Sequence, residues 1–473
     1  MAKCFRLIKN EIKKQFYQRT LWVMLIVLFV VSLLTVGIFL IDEFFGDSYY
    51  DYGMTFEEYC ESEIDFYKSC IAENPDALSE DIAYFETEIE RYELLLASDA
   101  DWGDWRETSD IAYLAVELRR MGDTDSYAKL RGAILSNDPN PYFLWVKESY
   151  AQDLSPELRE VYGWAMDFCI ANNVIPDEYS DWRFYAVSVY IASSETVIKQ
   201  EFLQENGGAW SQSKLEEAKN EAALARYRLE NNVSANPADS FGDALTDAMM
   251  YEGYTPTSSF WNAMAASSSL ISMAGLFLIV MAGGIVANEF SSGTVKFLLL
   301  SPVKRWKIWL SKYLTVLLFV PVLLILIFVF TFLPSLPLGV ADAFAPALFA
   351  ENGAVTQVSP YWLLLRDYAL GALQTILMFT LAFALSALLR SSSVAIGVSL
   401  FANLVGSMVI SILQLMGFDW ARYILFANLD LVSIADGTSA FPHQSLPVAI
   451  VILLAHMAVF LLTAHDAFTR REV

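Results

Sequence analysis

Six apolar runs, each near the twenty residues that carry a helix across a hydrocarbon core of roughly 30 Å, decide what this chain can fold into. They are Leu21–Ile41, Ser267–Ala287, Tyr313–Leu333, Tyr361–Leu389, Val394–Met416 and Val448–Phe468. Inside hydrocarbon every backbone polar group must be satisfied within its own segment, so runs of this length predict helices. The mean hydropathy of +0.38 over 473 residues comes from these runs rather than from an even spread. Short connections rich in Lys and Arg stay on the cytoplasmic side. Applied at each connection, that rule places both termini inside.

Charge divides the chain in two. From Asp42 to Ala263 there are 45 Asp and Glu against 15 Lys and Arg, a net −30, whereas the rest carries +6. The acidic block and the basic connections are expected on opposite membrane faces. The expected fold is therefore all-α: a six-helix transmembrane bundle with a large α-helical extracellular domain inserted between the first and second spans. Residues 1–20 form a cytoplasmic amphipathic interfacial helix, in which Phe5, Leu7, Ile8, Ile12, Phe16 and Tyr17 recur at near-helical spacing between basic residues. Residues 21–41 form the first span, 42–263 the acidic helical domain, and 264–473 the remaining five spans, with a cytoplasmic elbow at 288–312 and an exterior loop at Pro334–Pro360.

Within the acidic block, Thr55–Glu58 and Ser213–Glu216 read as capping boxes, and Ser155-Pro156 as a helix start. Helical periodicity covers Tyr84–Leu95, Ile111–Leu118, Leu158–Ile170, Phe184–Phe202 and Leu215–Leu229, with no convincing strand pattern. Its tryptophans (Trp102, Trp105, Trp145, Trp164, Trp182, Trp210) are expected to fill the core and its edges. Three of the four cysteines, Cys60, Cys70 and Cys169, fall here. An odd number cannot pair completely within one chain. In the spans, Gly275, Gly283 and Gly284 suit close helix contact or a local break, and His456 reads as a hydrogen-bonded structural histidine. Arg366 and Asp367, adjacent in sequence, read as interface anchors on different helix faces rather than as an ion pair.

Several function classes lose support. There is no GxxxxGK[ST], LSGGQ, GxSxG, CxxC or HExxH, and only three histidines. Neither a nucleotide site nor metal or nucleophilic catalysis is written in the chain, so it is not expected to be an enzyme. Spans almost free of carboxylates disfavour an ion-coupled carrier. The acidic surface disfavours nucleic acid.

The elbow is where chemistry concentrates. Glu289-Phe-Ser-Ser-Gly-Thr-Val-Lys296, Leu298–Pro302, Lys304-Arg-Trp-Lys-Ile308 and Ser311-Lys-Tyr313 resemble the connection between the second and third spans of type 2 ABC transporter permeases, the membrane subunits of bacterial ABC exporters. The basic amphipathic N-terminal helix and the six-span layout resemble that family too. The likeness covers roughly half of the chain. It implies a bacterial plasma-membrane permease that pairs with a second permease subunit, as homodimer or heterodimer, and is driven by two separate ABC ATPase subunits holding ATP and Mg. No cofactor is expected on this chain. Carried onto this sequence, Glu289, Phe290, Gly293, Thr294 and Lys296 would contact the ATPase, while Lys304, Arg305, Trp306, Lys307 and Trp309 would rest on the lipid bilayer. The implied activity is export of a peptide, lipid-like molecule, drug or ion. Bacterial members with a large exterior insertion, such as the one expected here between the first and second spans, include those similar to peptide-antibiotic and sodium exporters. The rival reading is a membrane-anchored sensor or receptor whose extracellular domain binds a ligand without transport.

Overall fold

The structure, a computed structural model, describes residues 2–45, 53–73, 79–177, 181–241, 258–293, 303–389, 391–436, 438–439, 441 and 444–470. Among these residues helices dominate. The helix α1 spans Ala2–Phe16, and α2, the first span, Arg19–Phe45. The acidic block folds into α3 (Phe56–Glu73), α4 (Ser79–Ala97), α5 (Trp105–Thr108), α6 (Ile111–Arg120), α7 (Thr124–Ser136), α8 (Asn140–Glu148), α9 (Pro156–Ala171), α10 (Trp182–Glu205) and α11 (Gln212–Asn231). A short α12 (Ser259–Ala266) leads into α13 (Ser269–Ser291), the second span. The third span, α14, runs Arg305–Ser335. Then come β1 (Ala347–Glu351) and β2 (Ala354–Val358), α15 (Pro360–Leu389), α16 (Ser392–Leu415), α17 (Leu431–Ala435) and α18 (Leu446–Thr469). Six helices are long and apolar enough to cross a membrane, and they contain the six apolar runs of the sequence apart from Ser267 and Ser268 at the start of the second and Met416 at the end of the fifth. The chain is a membrane protein with an all-helical bundle.

The second span is the axis of the bundle, 72% of its apolar window being enclosed by other helices. Small residues make this possible. A Cβ at Gly275 would meet Thr375 Oγ1 at 3.2 Å, and one at Gly371 would meet Ile271 at 3.2 Å. The second and fourth spans therefore close to backbone distance, as small residues allow where lipid supplies no hydrophobic driving force. A polar bolt reinforces the contact. Ser386 Oγ donates to Gly283 O at 2.7 Å and accepts from Ala287 N at 3.0 Å. Those two groups are the acceptor and donor of a single helical turn, so the hydroxyl is wedged into the second span's ladder beside the glycine pair. Tyr313–Thr380 (3.0 Å) links the third and fourth spans, and Ser267–Tyr368 (2.7 Å) ties the start of the second span to the fourth.

The helical domain has its own core, with Cys60, Leu95, Leu130, Ile134, Phe143 and Cys169 inaccessible. Its helix starts follow local rules. Thr55 and Glu58 exchange both bonds of a capping box, at 2.9 and 3.2 Å. Ser155 caps α9 through Leu158 N, at 3.3 Å. The start expected at Ser213 lies two residues earlier: Ser211 accepts from Lys214 N, and Ser213 is inside the helix. Cys60 and Cys70 share α3, and Cys60 and Cys169 are buried thiols.

Two sequence expectations are corrected. The connection after the third span is not a plain loop but contains a β-hairpin, with Ala347 opposite Val358 and Glu351 opposite Ala354. Its turn, Asn352-Gly353, has both residues at positive φ (51° and 76°), as a type I′ turn requires. This hairpin docks on the helical domain. Fully buried Asn236 donates to Leu348 O at 3.1 Å and accepts from Leu348 N at 2.8 Å. Asn220 accepts from Gly353 N at 2.9 Å, and Gln357 donates to Tyr227 at 2.8 Å. The domain thus meets the bundle where the third span ends and the fourth begins, the end opposite α1. Second, Arg366 does pair with Asp367, at 2.8 Å, and also reaches Asp436 at 2.8 Å. A guanidinium is long enough to reach back across its own helix, which adjacency alone does not suggest. His456 Nδ1 lies 2.8 Å from Ile452 O, the preceding turn.

Candidate functional site: a charge-linked elbow

The end of the bundle that carries α1 also carries the end of the second span and the start of the third. The α1 helix lies against the third span with Phe5 exposed and Gln15 buried. Its basic residues Lys9 and Lys13 face solvent. Glu11 and Lys14 instead meet the bundle, and there they complete an ionic chain that joins three helices.

Lys312 is its centre. Its side chain is completely buried, an arrangement that costs several kcal/mol unless every donor of the ammonium finds an acceptor. It does: Nζ lies 2.7 Å from Glu289 Oε1, 3.1 Å from Glu11 Oε1 and 3.2 Å from Ile285 O. Three donors meet three acceptors. Glu289 is bound a second time, by Lys14 Nζ at 2.9 Å. Two carboxylates and two ammonium groups alternate as Glu11, Lys312, Glu289, Lys14, so the cluster is neutral overall. Burial works against the charge of Lys14, but the hydrogen bond and the field of Glu289, with Glu11 behind, outweigh it and raise its pKa above the ordinary lysine value. A polar cavity of about 130 Å³ adjoins the cluster between α1, α2 and the second and fifth spans, with Gln18, Asn288 and Ser392 on its walls.

The residues singled out from sequence are distributed as follows. Glu289 does not project outward to a partner, because its side chain is 5% exposed and held by two lysines of its own chain. It stands in the last turn of the second span, not at the start of a helix. Phe290 packs partly into the bundle core. Gly293 ends the described part of the second span at φ +70° and is exposed. Thr294 and Lys296 lie outside the described residues. Lys304 is the N-cap position of the third span, and Lys304, Arg305 and Trp306 are exposed. Lys307 Nζ sits 5.6 Å from the Trp306 ring centroid, a cation–π arrangement. Trp309, expected at the membrane surface, turns into the bundle. Its ring stacks on Tyr313 at 6.2 Å and meets His465 edge-on at 5.4 Å. Lys312, read from sequence only as one more basic residue of the elbow, is the group that organises the site. Among the described residues no cluster of His, Cys, Asp and Glu could hold a metal ion.

What this arrangement can do is mechanical. The elbow's two flanking spans and the N-terminal helix are tied at one buried ammonium. A displacement of the elbow must either move all three together or break a buried ion pair.

The family match with known proteins falls mostly on this bundle. Residues 244–473 match a family model described as a protein of unknown function, DUF2705. The uncharacterized protein YhcI of Bacillus subtilis (strain 168) is 35% identical over 253 residues, 53% of this chain and 74% of that one. The uncharacterized membrane protein YdbK of the same organism is 29% identical over 196 residues, 41% of this chain and 76% of that one. Both relatives are shorter than this protein, since a smaller share of this chain covers a larger share of theirs. By these matches the chain belongs to one family with YhcI of Bacillus subtilis.

Proposed function

We propose that the chain is the permease subunit of an ATP-driven exporter in a bacterial plasma membrane. It works as a homodimer or heterodimer with two separate ABC ATPase subunits, and exports a peptide, lipid-like molecule, drug or ion. The observation that carries the reading is the tethered elbow. A polar connection between two spans is held from behind by a buried ionic chain that includes the N-terminal helix, as an attachment point for an outside force would be. The chain's own sequence offers no nucleotide site, so the force has to come from another subunit. The resemblance of Glu289–Tyr313 to type 2 ABC permeases names that subunit as an ATPase.

In this reading the ATPase touches the exposed residues Ser291 to Gly293 rather than Glu289. Its closure pushes on the end of the second span. Glu289 and Lys312 pass the displacement to the third span, and Glu11 and Lys14 pass it to α1. The acidic domain stands on the other face, fastened to the third and fourth spans by the hairpin. A second permease copy covers the fifth span, whose exposed face carries Ser407, Ser411 and Gln414 among apolar residues, a mixture poorly suited to lipid.

The experiment is affinity purification of the full chain from its native membranes, followed by mass spectrometry and an ATP hydrolysis assay. The reading expects a Walker-type ATPase to co-purify with it. Ser291→Arg, at an exposed position away from the ionic chain, is expected to release that ATPase. A purified protein that carries no ATPase, or whose ATPase is indifferent to Ser291→Arg and to changes at Gly293, would falsify the reading.

A further inference from the structure

The helical domain contains a cleft that the permease reading does not use. It has a volume of about 950 Å³, at the upper end of the range of small-molecule sites. It opens between α4, α6, α8 and α10. Four carboxylates stand on its walls, those of Glu88, Asp110, Glu117 and Asp177. No Lys or Arg is among the described residues lining it. Arg91 engages Glu88 from outside the cleft at 3.0 Å, and Asp110 makes no capping bond although it precedes α6. Between the carboxylates lie four aromatic rings, Tyr84, Tyr113, Tyr142 and Phe184.

The chemistry of this lining is selective. Carboxylates that converge on a point take a metal ion, but no group of three comes close enough among the described residues. Carboxylates spread around a roomy cleft and separated by π-faces suit positive charges that are themselves spread out and carried on organic groups. Burial first, and then the nearby Glu117 and Glu88, hold the Tyr113 hydroxyl above its ordinary pKa, with Arg120 acting the other way. We propose that this cleft binds the lysine or arginine side chains of a cationic, amphipathic peptide, with the aromatic rings taking its apolar residues. This inference concerns the domain alone and does not rest on the presence of an ATPase.

The test uses the full chain in lipid nanodiscs and a fluorescein-labelled peptide of alternating lysine and phenylalanine, with the glutamate-for-lysine peptide as its counterpart. Anisotropy should show saturable binding of the lysine peptide, weakened by salt, and none of the glutamate peptide. Asp110→Asn with Glu117→Gln should weaken binding about tenfold, as loss of two nearby charges does in a partly shielded site. Tyr84→Ala, at a half-exposed ring, should weaken it about threefold. The charge-matched pair Glu160→Gln with Glu217→Gln, on exposed helix faces elsewhere, should leave it within twofold and controls for net charge and folding. Equal losses from the two pairs would mean diffuse surface attraction and overturn the assignment. So would binding of the glutamate peptide, or no saturable binding of the lysine peptide.

Discussion

Lys312→Met isolates the energetics of the buried ionic chain. The substitution keeps most of the side chain's volume and removes only the ammonium. Glu289 then keeps its bond to Lys14, and the Glu11 carboxylate, 13% exposed, loses the Lys312 ammonium. Breaking a buried ion pair from one side typically costs about 3–5 kcal/mol, because the orphaned charge stays buried. Lys14→Met removes the other cation, but 52% of that side chain is in solvent. An ion pair so exposed is worth about 0–1 kcal/mol. The two lysine variants differ by a single charge each, yet the structure separates them by about 3 kcal/mol. A triple variant, Lys312→Met with Glu289→Gln and Glu11→Gln, removes every buried charge of the chain, leaves only the half-exposed Lys14 ammonium, and should recover most of the loss. Unfolding in mixed micelles with an increasing fraction of denaturing detergent gives the three values. Hydrogen exchange over residues 2–16 reports whether α1 has come loose. Equal losses for Lys312→Met and Lys14→Met, or none for either, would refute the burial-based reasoning.

Other consequences can be checked separately. Asn236→Ala removes both bonds to Leu348 and leaves a buried N–H and C=O unmet, at about 1–3 kcal/mol for each orphaned group; exchange should rise over 347–358 while the six spans stay protected. Gly406→Ala would drive a Cβ into the ring of Phe426, whereas Gly397→Ala on the same helix meets nothing within 4 Å. Thermal unfolding should show the first destabilised by about 1–3 kcal/mol and the second unchanged or slightly stabilised. For Asp181, burial opposes the charge, but hydrogen bonds from Arg183 and from the Ile175 N–H outweigh it and hold the carboxyl below its ordinary value. Its stabilisation is therefore complete above the ordinary aspartate pKa and is lost as pH falls through the lower folded-state value. Asp181→Asn should lower domain stability at pH 7 and flatten its decline in acid, as read by circular dichroism across pH. Cys60 and Cys169 are buried thiols pushed up to about 11 and about 12, so neither should react with iodoacetamide at pH 7.5 until the domain unfolds.

The spans were legible because length and apolarity act locally, and each run lies within a helix to within two residues. The helical domain was legible in outline for the same reason: Thr55, Glu58 and Ser155 cap through neighbours three residues away. The hairpin was missed although its signal was present, an Asn-Gly pair between ALFAE and AVTQV, because a connection of apolar and small residues between two spans was read as loop. The site was the least legible part. Lys312 and Glu11 stand 301 residues apart in sequence, and Lys14 and Glu289 stand 275 apart. Only the packing of α1 against the third span makes them neighbours. One cue was available: Lys312 directly precedes the apolar run that Tyr313 opens, where an unpaired charge is costly. Glu289 was singled out correctly as unusual, the one acidic residue of the elbow, but its oddity answers a lysine within the chain.

The account depends most on the two ends of the bundle facing opposite compartments, with the elbow on the ATP-containing side and the acidic domain outside. Labelling with a membrane-impermeant maleimide decides this in a chain whose Cys4 and Cys70 are replaced by serine. Single cysteines are introduced at two exposed positions, Glu160→Cys in the domain and Ser291→Cys in the elbow. The account predicts that the first is labelled in intact cells and the second only after the membrane is opened. Labelling of both from the same side would contradict it.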